Sequence, residues 1–97
     1  MTKLEANILE QEVQLLNGWQ IKNNHLEKTF TFKSFKKAFA FMTMVAFEAE
    51  KLNHHPNWTN SYNILKIQLT THDANGITEK DIALATLINQ LTTKHYE

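Results

Sequence analysis

The chain has 97 residues, with ten basic and ten acidic side chains and no cysteine. This length predicts one domain spanning residues 1–97, small enough that association with further copies would help it to bury apolar surface. The balanced charge, with no basic run longer than Lys36-Lys37, argues against direct binding to nucleic acid. The lack of cysteine excludes disulfides, thiolate nucleophiles and cysteine metal sites.

The N-terminal segment, residues 1–12, carries three glutamates and no apolar stretch. A secretory signal or a membrane anchor requires such a stretch. We therefore expect no membrane contact and a cytoplasmic location.

The first part of the chain predicts a helix followed by a β-hairpin. Apolar residues at helical spacing occupy residues 2–16 and end at an Asn-Gly pair, which is a typical helix C-cap. The Asn-Asn pair at 23–24 tolerates the left-handed backbone of a tight turn. The strand after it shows apolar residues with a period of two. These residues are Leu26, Phe30 and Phe32.

Ser34 is placed to cap a long helix that runs to Leu52. Its apolar positions 35, 38, 39, 42, 45, 46, 49 and 52 follow the i, i+3, i+4, i+7 rule. Ala40, Met44 and Phe47 fall on the opposite side, flanked by Phe41. A helix that is apolar on two faces usually needs two partners. We expect one face to cover the sheet and the other to form a subunit interface, unless the second set is only scattered exposed apolar residues.

Pro56 ends the long helix, and alternating apolar residues over 65–69 predict a strand that reaches Thr71-His72. Residues 57–63 are expected to form its hairpin partner. A turn at 73–76 is followed by the spacing of a capping box, from Thr78 to Asp81, and by a final helix. The order α-β-β-α-β-β-α predicts an α+β fold, a four-stranded antiparallel sheet with helices packed on one face.

Three of the five histidines lie within nineteen positions, at the ends of predicted elements rather than on apolar faces. Ends of packed elements combine rigid positioning with solvent access. Because the unperturbed pKa of histidine is about 6.5, both protonation states exist near neutral pH. The cluster therefore suits metal-free acid–base catalysis. It consists of His54, His55 and His72, accompanied by Glu50, Asp73 and Asp81.

Each of these residues also has a purely structural explanation. A histidine near the C-terminus of a helix can be a cation favoured by the helix dipole. Asp81 can be a helix cap, and Trp58 can be a core residue. A metal site is disfavoured, because adjacent side chains in extended chain point to opposite faces, so that His54 and His55 would not readily share one ion. No H-E-x-x-H motif is present either.

Seven positions around the histidines have a characteristic spacing: Glu50, His54, His55, Pro56, Tyr62, His72 and Asp81. This pattern resembles the signature of the pterin-4a-carbinolamine dehydratases, and the resemblance covers roughly residues 15–92. Members of that family dehydrate 4a-hydroxytetrahydropterin to quinonoid dihydropterin without a metal or prosthetic group. The resemblance therefore implies a hydro-lyase that uses no cofactor and that recycles the pterin of aromatic amino acid hydroxylases.

The resemblance also implies roles for individual residues. His54 and His72 are expected to be the acid/base pair acting at the 4a-hydroxyl and the N5 proton. His55 positions the pterin and shares in proton transfer, and Asp81 belongs to the same catalytic set. The expected substrate-binding residues are Glu50, Asn53, Trp58, Thr70, Thr71 and Asp73.

Asn53 departs from the family pattern, in which an aspartate is common at this position. Asparagine keeps the acceptor oxygen but lacks the charge. Glu50, one helical turn before His54, is placed to hydrogen-bond an imidazole and so to compensate in part.

Partners follow from the same resemblance. We expect a pterin substrate, a homodimer or homotetramer, and a functional link to an aromatic amino acid hydroxylase. Some members of the family act instead as dimerisation cofactors that bind a transcription factor through a helical surface. The alternative function is therefore a non-catalytic protein-binding module that uses the Ala40, Met44 and Phe47 surface.

Overall fold

The computed structural model describes residues 2–92. Its elements in chain order are helix α1 (Ala6–Gln14), strands β1 (Gln20–Lys22) and β2 (His25–Thr31), helix α2 (Phe35–Leu52), strands β3 (Asn57–Ser61) and β4 (Ile64–Leu69), a 3-10 turn (His72–Ala74) and helix α3 (Glu79–Leu91). The predicted α+β order α-β-β-α-β-β-α is confirmed. Within residues 2–92, none of the helices combines the length and the hydrophobicity needed to cross a membrane.

The sheet has four antiparallel strands in the order β1-β2-β4-β3, which confirms the predicted sheet. Alternate residues of the two central strands are buried beneath the helices, because successive side chains of a strand point to opposite faces. The outer face is mostly polar, with Glu27 of β2 opposite Gln68 of β4, although Ile64 at the start of β4 is 46% exposed. The buried residues of these strands are Leu26, Phe30, Leu65, Ile67 and Leu69.

Helix α2 turns a different stripe toward the core than its periodicity predicted. Phe41, which we placed beside the opposite face, is fully buried, with its ring centroid 5.4 Å from that of Phe30 and 5.1 Å from that of Phe32. Phe35 and Phe39, which we placed on the core face, are 49% and 55% exposed. Nearly every residue from 38 to 47 is apolar, so the pattern alone could not set the rotation of the helix. The buried residues of α2 are Ala38, Phe41, Val45 and Ala49.

The first helix is shorter than predicted, covering nine residues in place of residues 2–16. The backbone before α1 is not helical, and Glu5 is extended. The N–H of Leu4 donates instead to the carbonyl of Ile77 at 2.8 Å. Leu9 and Val13 pack against the core from α1, whereas Leu15 is 83% exposed. The N-terminal segment therefore contacts the loop that leads into α3.

Candidate active site

The end of helix α2 fixes the backbone of His54. Asn53 adopts the left-handed conformation with φ 51° and ψ 44°. The N–H of Asn53 donates to the carbonyl of Glu50 at 3.1 Å, and the N–H of His54 donates to that of Ala49 at 3.0 Å. These two bonds form a Schellman motif, which satisfies the carbonyls left open at a helix end. Asparagine suits the position because it tolerates a positive φ better than most residues.

The start of helix α3 fixes Asp81. The Thr78 side chain caps the helix and accepts a hydrogen bond from the N–H of Lys80 at 3.2 Å. The Asp81 carboxylate reaches back and accepts one from the N–H of Thr78 at 2.8 Å. This is the capping box that the sequence predicted. Thr78 and Asp81 are both fully buried, so the box is closed off from water.

The two helix ends meet through a hydrogen bond of 2.5 Å between Nε2 of His54 and Oδ1 of Asp81. Oδ2 of Asp81 accepts from the N–H of Thr78 at 2.8 Å and from the hydroxyl of Thr71 at 2.9 Å. An ionised carboxylate offers only acceptors, so with Asp81 ionised its partner in this bond is the donor. Nε2 of His54 therefore carries the hydrogen. Asp81 is both the cap that its position suggested and the partner of a histidine.

This arrangement leaves Nδ1 of His54 as the ring nitrogen that is open to a ligand. Within residues 2–92, His54 makes its side-chain hydrogen bond through Nε2 only, so Nδ1 has no hydrogen-bond partner there. Nδ1 is not a buried atom. Solvent therefore reaches Nδ1 even though the residue as a whole is 9% exposed. A neutral imidazole with its hydrogen on Nε2 presents Nδ1 as an acceptor.

His55 and His72 are the exposed histidines of the site. Nε2 of His55 lies 2.6 Å from Oε1 of Glu50, and both side chains are more than half exposed. His72 begins the 3-10 turn and is exposed. A backbone bridge between Thr71 and Gly76 closes the loop that carries His72. The side chain of Asn24 tightens the same loop by donating to the carbonyl of Asn75 at 2.8 Å.

A pocket of about 380 Å³ lies between these elements. It brings together the three histidines of the predicted cluster and four of the six predicted substrate-binding residues. The residues that line it are Asn53, His54, His55, Thr70, Thr71, His72, Asp73 and Lys80.

Three predicted site residues lie outside the lining of the pocket. Asp81 stands behind His54, and Glu50 contacts the site through His55. Trp58 is partly buried and packs against the hydrophobic core, which matches its structural explanation. Its role in substrate binding stays a prediction.

Two residues of the site were missed by the sequence reasoning. Lys80 lines the pocket, and the only available signal was its place directly before Asp81. Thr78 was interpreted as a cap alone, yet its hydroxyl also lies 2.8 Å from that of Thr71. Because Thr71 donates to Asp81, its own oxygen is left to accept from Thr78. The hydroxyls thus form a chain that ends on the carboxylate.

Among residues 2–92, no three histidine, aspartate or glutamate side chains are grouped so that they could hold a metal ion. His54 uses one ring nitrogen on Asp81, and His55 uses one on Glu50.

The chain matches the family model described as pterin 4 alpha carbinolamine dehydratase over residues 2–91. It therefore belongs to the pterin-4a-carbinolamine dehydratase family. Its relatives include proteins that carry the dehydratase name provisionally. One from Christiangramia forsetii is 44% identical over 91 residues, covering 94% of each chain. One from Sinorhizobium medicae is 48% identical over 90 residues, covering 91% of this chain and 86% of the relative.

Solved structures of the dehydratase family agree with the fold. A protein from Brucella melitensis described as a transcriptional coactivator/pterin dehydratase has a TM-score of 0.91 and 39% identity, covering 93% of this chain and 98% of its own. A pterin dehydratase-like protein described as a RuBisCO assembly factor in the alpha-carboxysome has a TM-score of 0.62 and 27% identity. The latter match covers 75% of this chain and 84% of the other. Proteins with this fold thus carry names from more than one functional class.

Proposed function

We propose that this protein dehydrates 4a-hydroxytetrahydropterin to quinonoid dihydropterin and water, and so recycles the pterin of an aromatic amino acid hydroxylase. The observation that carries the proposal is the His54–Asp81 pair, with its 2.5 Å hydrogen bond, beside a pocket that also holds His72. A histidine oriented by a buried carboxylate is suited to take up a proton, because the carboxylate stabilises the imidazolium that forms.

The reaction removes a proton from N5 and the hydroxyl group from C4a, and a C4a–N5 double bond forms. In our proposal Nδ1 of His54 accepts the N5 proton while Asp81 holds Nε2–H in place. His72, which lines the same pocket and is exposed, protonates the departing hydroxyl so that it leaves as water. Proton exchange with solvent then removes the proton from Nδ1 of His54 and reprotonates His72, which restores the starting state. Each such group typically contributes about 10²–10⁴-fold to the rate.

The remaining pocket residues are assigned to binding. Asp73 supplies a carboxylate for the amino and N3–H donors of the pterin ring, and the Asn53 amide can serve either donors or acceptors. His55, oriented by Glu50 at 2.6 Å, positions the ring and shares in proton transfer. Glu50 and Thr71 act through other residues, since their hydrogen bonds go to His55 and to Asp81.

Turnover of 4a-hydroxytetrahydropterin tests this function. We expect His54→Ala and His72→Ala each to lower kcat by about 10²-fold or more. His25→Gln is the matched control, because His25 lies in β2 and does not line the pocket. A wild-type rate no higher than that of the His54→Ala/His72→Ala double variant would show that the protein is not this enzyme.

A second candidate function is protein binding through the exposed apolar surface of α2. Of the predicted surface, Phe47 is 59% exposed, Ala40 is exposed and Met44 is partly buried. The neighbouring rings of Phe35 and Phe39 are also about half exposed on α2. Two structural relatives carry the names coactivator and assembly factor. We propose that this surface joins copies of the chain into a homodimer or homotetramer.

Light scattering after size exclusion tests the surface. Phe39→Ser and Phe47→Ser should lower the measured mass toward that of the monomer. Leu15→Ser is a matched control, because Leu15 is 83% exposed and lies at the end of α1. A wild-type protein that is a strict monomer at micromolar concentration would contradict the proposed interface.

A further inference from the structure

We propose that Lys80 forms a subsite for an anionic group on the side chain of the substrate, so that the pocket prefers a pterin carrying a phosphate to one with a neutral side chain. The inference rests on the proposed function, because it concerns the same pocket. It goes further by naming the chemical class of pterin and the residue that selects it.

The contacts of Lys80 leave its ammonium group available. Lys80 is the second residue of α3 and is partly buried where it lines the pocket. Its backbone N–H donates to the Thr78 side chain, and that of Asp81 donates to the carbonyl of Thr78. The first backbone N–H groups of the helix are therefore used by the cap. The side chain forms no ion pair with a carboxylate of residues 2–92.

Lys80 places a permanent positive charge at one part of the pocket lining. Among the lining residues Asp73 is the one carboxylate and Lys80 the one permanent cation. The two do not form an ion pair, so each is free to contact a different part of a ligand.

A neutral pterin leaves the ammonium of Lys80 without a matching group. The ring carbonyl can accept from the Asn53 amide or from an imidazole, and the donors of the ring can reach Asp73. A hydrogen bond from the ammonium to a neutral carbonyl has one charged partner, whereas a hydrogen bond to a phosphate has two and adds the attraction between opposite charges. The ammonium is therefore best matched by an anionic substituent.

The size of the pocket limits where that group can be. A volume of about 380 Å³ lies near the low end of the range of roughly 300–1,000 Å³ for small-molecule sites. It suits a two-ring pterin with a short side chain. We therefore place a single phosphate or carboxylate within a few bonds of the ring.

Binding of two stable pterins tests the subsite without turnover. The probes are 7,8-dihydroneopterin, whose side chain is neutral, and 7,8-dihydroneopterin monophosphate, titrated by calorimetry into the full chain. The readout is the ratio of the two dissociation constants. We expect the phosphate to bind about tenfold more tightly to wild type, and Lys80→Gln to remove this preference. Lys80→Arg should keep it, and added salt should weaken it.

Lys66→Gln is the matched control, because Lys66 is exposed on β4 and does not line the pocket. The ratio of the two dissociation constants of Lys66→Gln should equal that of wild type. The subsite would be overturned if wild type bound the two probes with equal affinity. It would also be overturned if Lys80→Gln kept the preference for the phosphate. Either result leaves the dehydratase proposal standing. If wild type bound neither probe, the subsite would also be overturned, whereas the dehydratase proposal is decided by the turnover of 4a-hydroxytetrahydropterin.

Discussion

The imidazole of His54 and the carboxylate of Asp81 are joined by a 2.5 Å hydrogen bond across 27 positions of sequence. His54 follows the Schellman motif that ends α2, and Asp81 belongs to the capping box that begins α3. Both motifs are satisfied by backbone groups of their own segments. The pair is therefore positioned before any substrate arrives, as a preorganised site requires.

Asp81→Asn should lower activity by changing the tautomer of His54. To keep its contacts with Thr71 and Thr78, the amide must place its oxygen where Oδ2 lies. Its NH₂ group then faces Nε2 of His54, which must become an acceptor and move the hydrogen to Nδ1. We expect kcat to fall by about 10²–10⁴-fold, with a smaller change in KM, measured by steady-state turnover.

Glu79→Gln is the control for Asp81→Asn, because it removes a negative charge from the same helix turn at an exposed position. This variant should retain the wild-type rate. If Asp81→Asn were folded and as active as wild type, the tautomer of His54 would not matter for the reaction.

Thr71→Val tests the hydroxyl chain that ends on Asp81. The substitution keeps the shape of the side chain but removes the donor to Oδ2 and the acceptor for the hydroxyl of Thr78, which is fully buried. A buried hydroxyl without a partner costs about 1–3 kcal/mol. We expect the free energy of unfolding in urea to fall by that amount, and Thr71→Ser to restore most of it. Thr59→Val is the control, because Thr59 is exposed on β3, and it should change the free energy of unfolding little. An equal loss of stability in Thr59→Val would refute the role of the hydroxyl chain.

Local signals in the sequence predicted the order of elements because each acts over a few residues. Asn23 and Asn24 both have positive φ, at 49° and 68°, as the turn between β1 and β2 requires. The hydroxyl of Ser34 caps α2 by accepting from the N–H of Lys37 at 3.1 Å. Such turns and caps depend on the residue type at one or two positions, so they can be interpreted without tertiary contacts.

The rotation of α2 could not be predicted in the same way. Phe41 is buried because the rings of Phe30 and Phe32 lie beneath it, and those rings come from another part of the chain. An apolar run satisfies more than one helical stripe, so tertiary packing decides which residues are buried. Phe35 and Phe39 are exposed for the same reason.

In the candidate site, too, some features could be predicted from the sequence and others depend on tertiary contacts. The spacing of the histidines, with the family resemblance, predicted a cluster at 54, 55 and 72, and the structure places all three in one pocket. The hydrogen bond from Thr71 to Asp81 depends on how the loop after β4 closes onto α3. Lys80 lines the pocket from the first turn of α3, which packs beside that loop only in the folded chain. Both are tertiary features that no local pattern encodes.

Asn53 should separate the placement of His54 from the binding of substrate. Its φ of 51° costs a residue with a Cβ about 1–2 kcal/mol, a cost that glycine avoids. We expect Asn53→Ala to lower the free energy of unfolding by about 1 kcal/mol, and Asn53→Gly to leave it unchanged or raised. Asn53→Gly should still raise KM, because it removes an amide that lines the pocket. Equal stability of the two variants in urea would contradict the backbone argument.

Glu27 should make the stability of the sheet depend on pH. Its Oε1 accepts from the side-chain amide of Gln68 at 2.8 Å, and Lys22 lies 3.6 Å from Oε2. The hydrogen bond from Gln68, and then the charge of Lys22, holds the pKa of Glu27 below its ordinary value. A carboxyl with a lowered pKa in the folded state stabilises the fold above its unfolded pKa of about 4.3, and this stabilisation is lost as pH falls through the lower folded value.

Glu27→Gln should therefore be less stable than wild type at about pH 6, and the difference should disappear toward about pH 3. Urea unfolding at several pH values measures this. Glu10→Gln, an exposed change on α1, is the control for the loss of one negative charge from the chain. A difference between Glu27→Gln and wild type that stayed constant from about pH 6 to pH 3 would mean that the hydrogen bond from Gln68 does not favour the ionised form of Glu27 in the folded state.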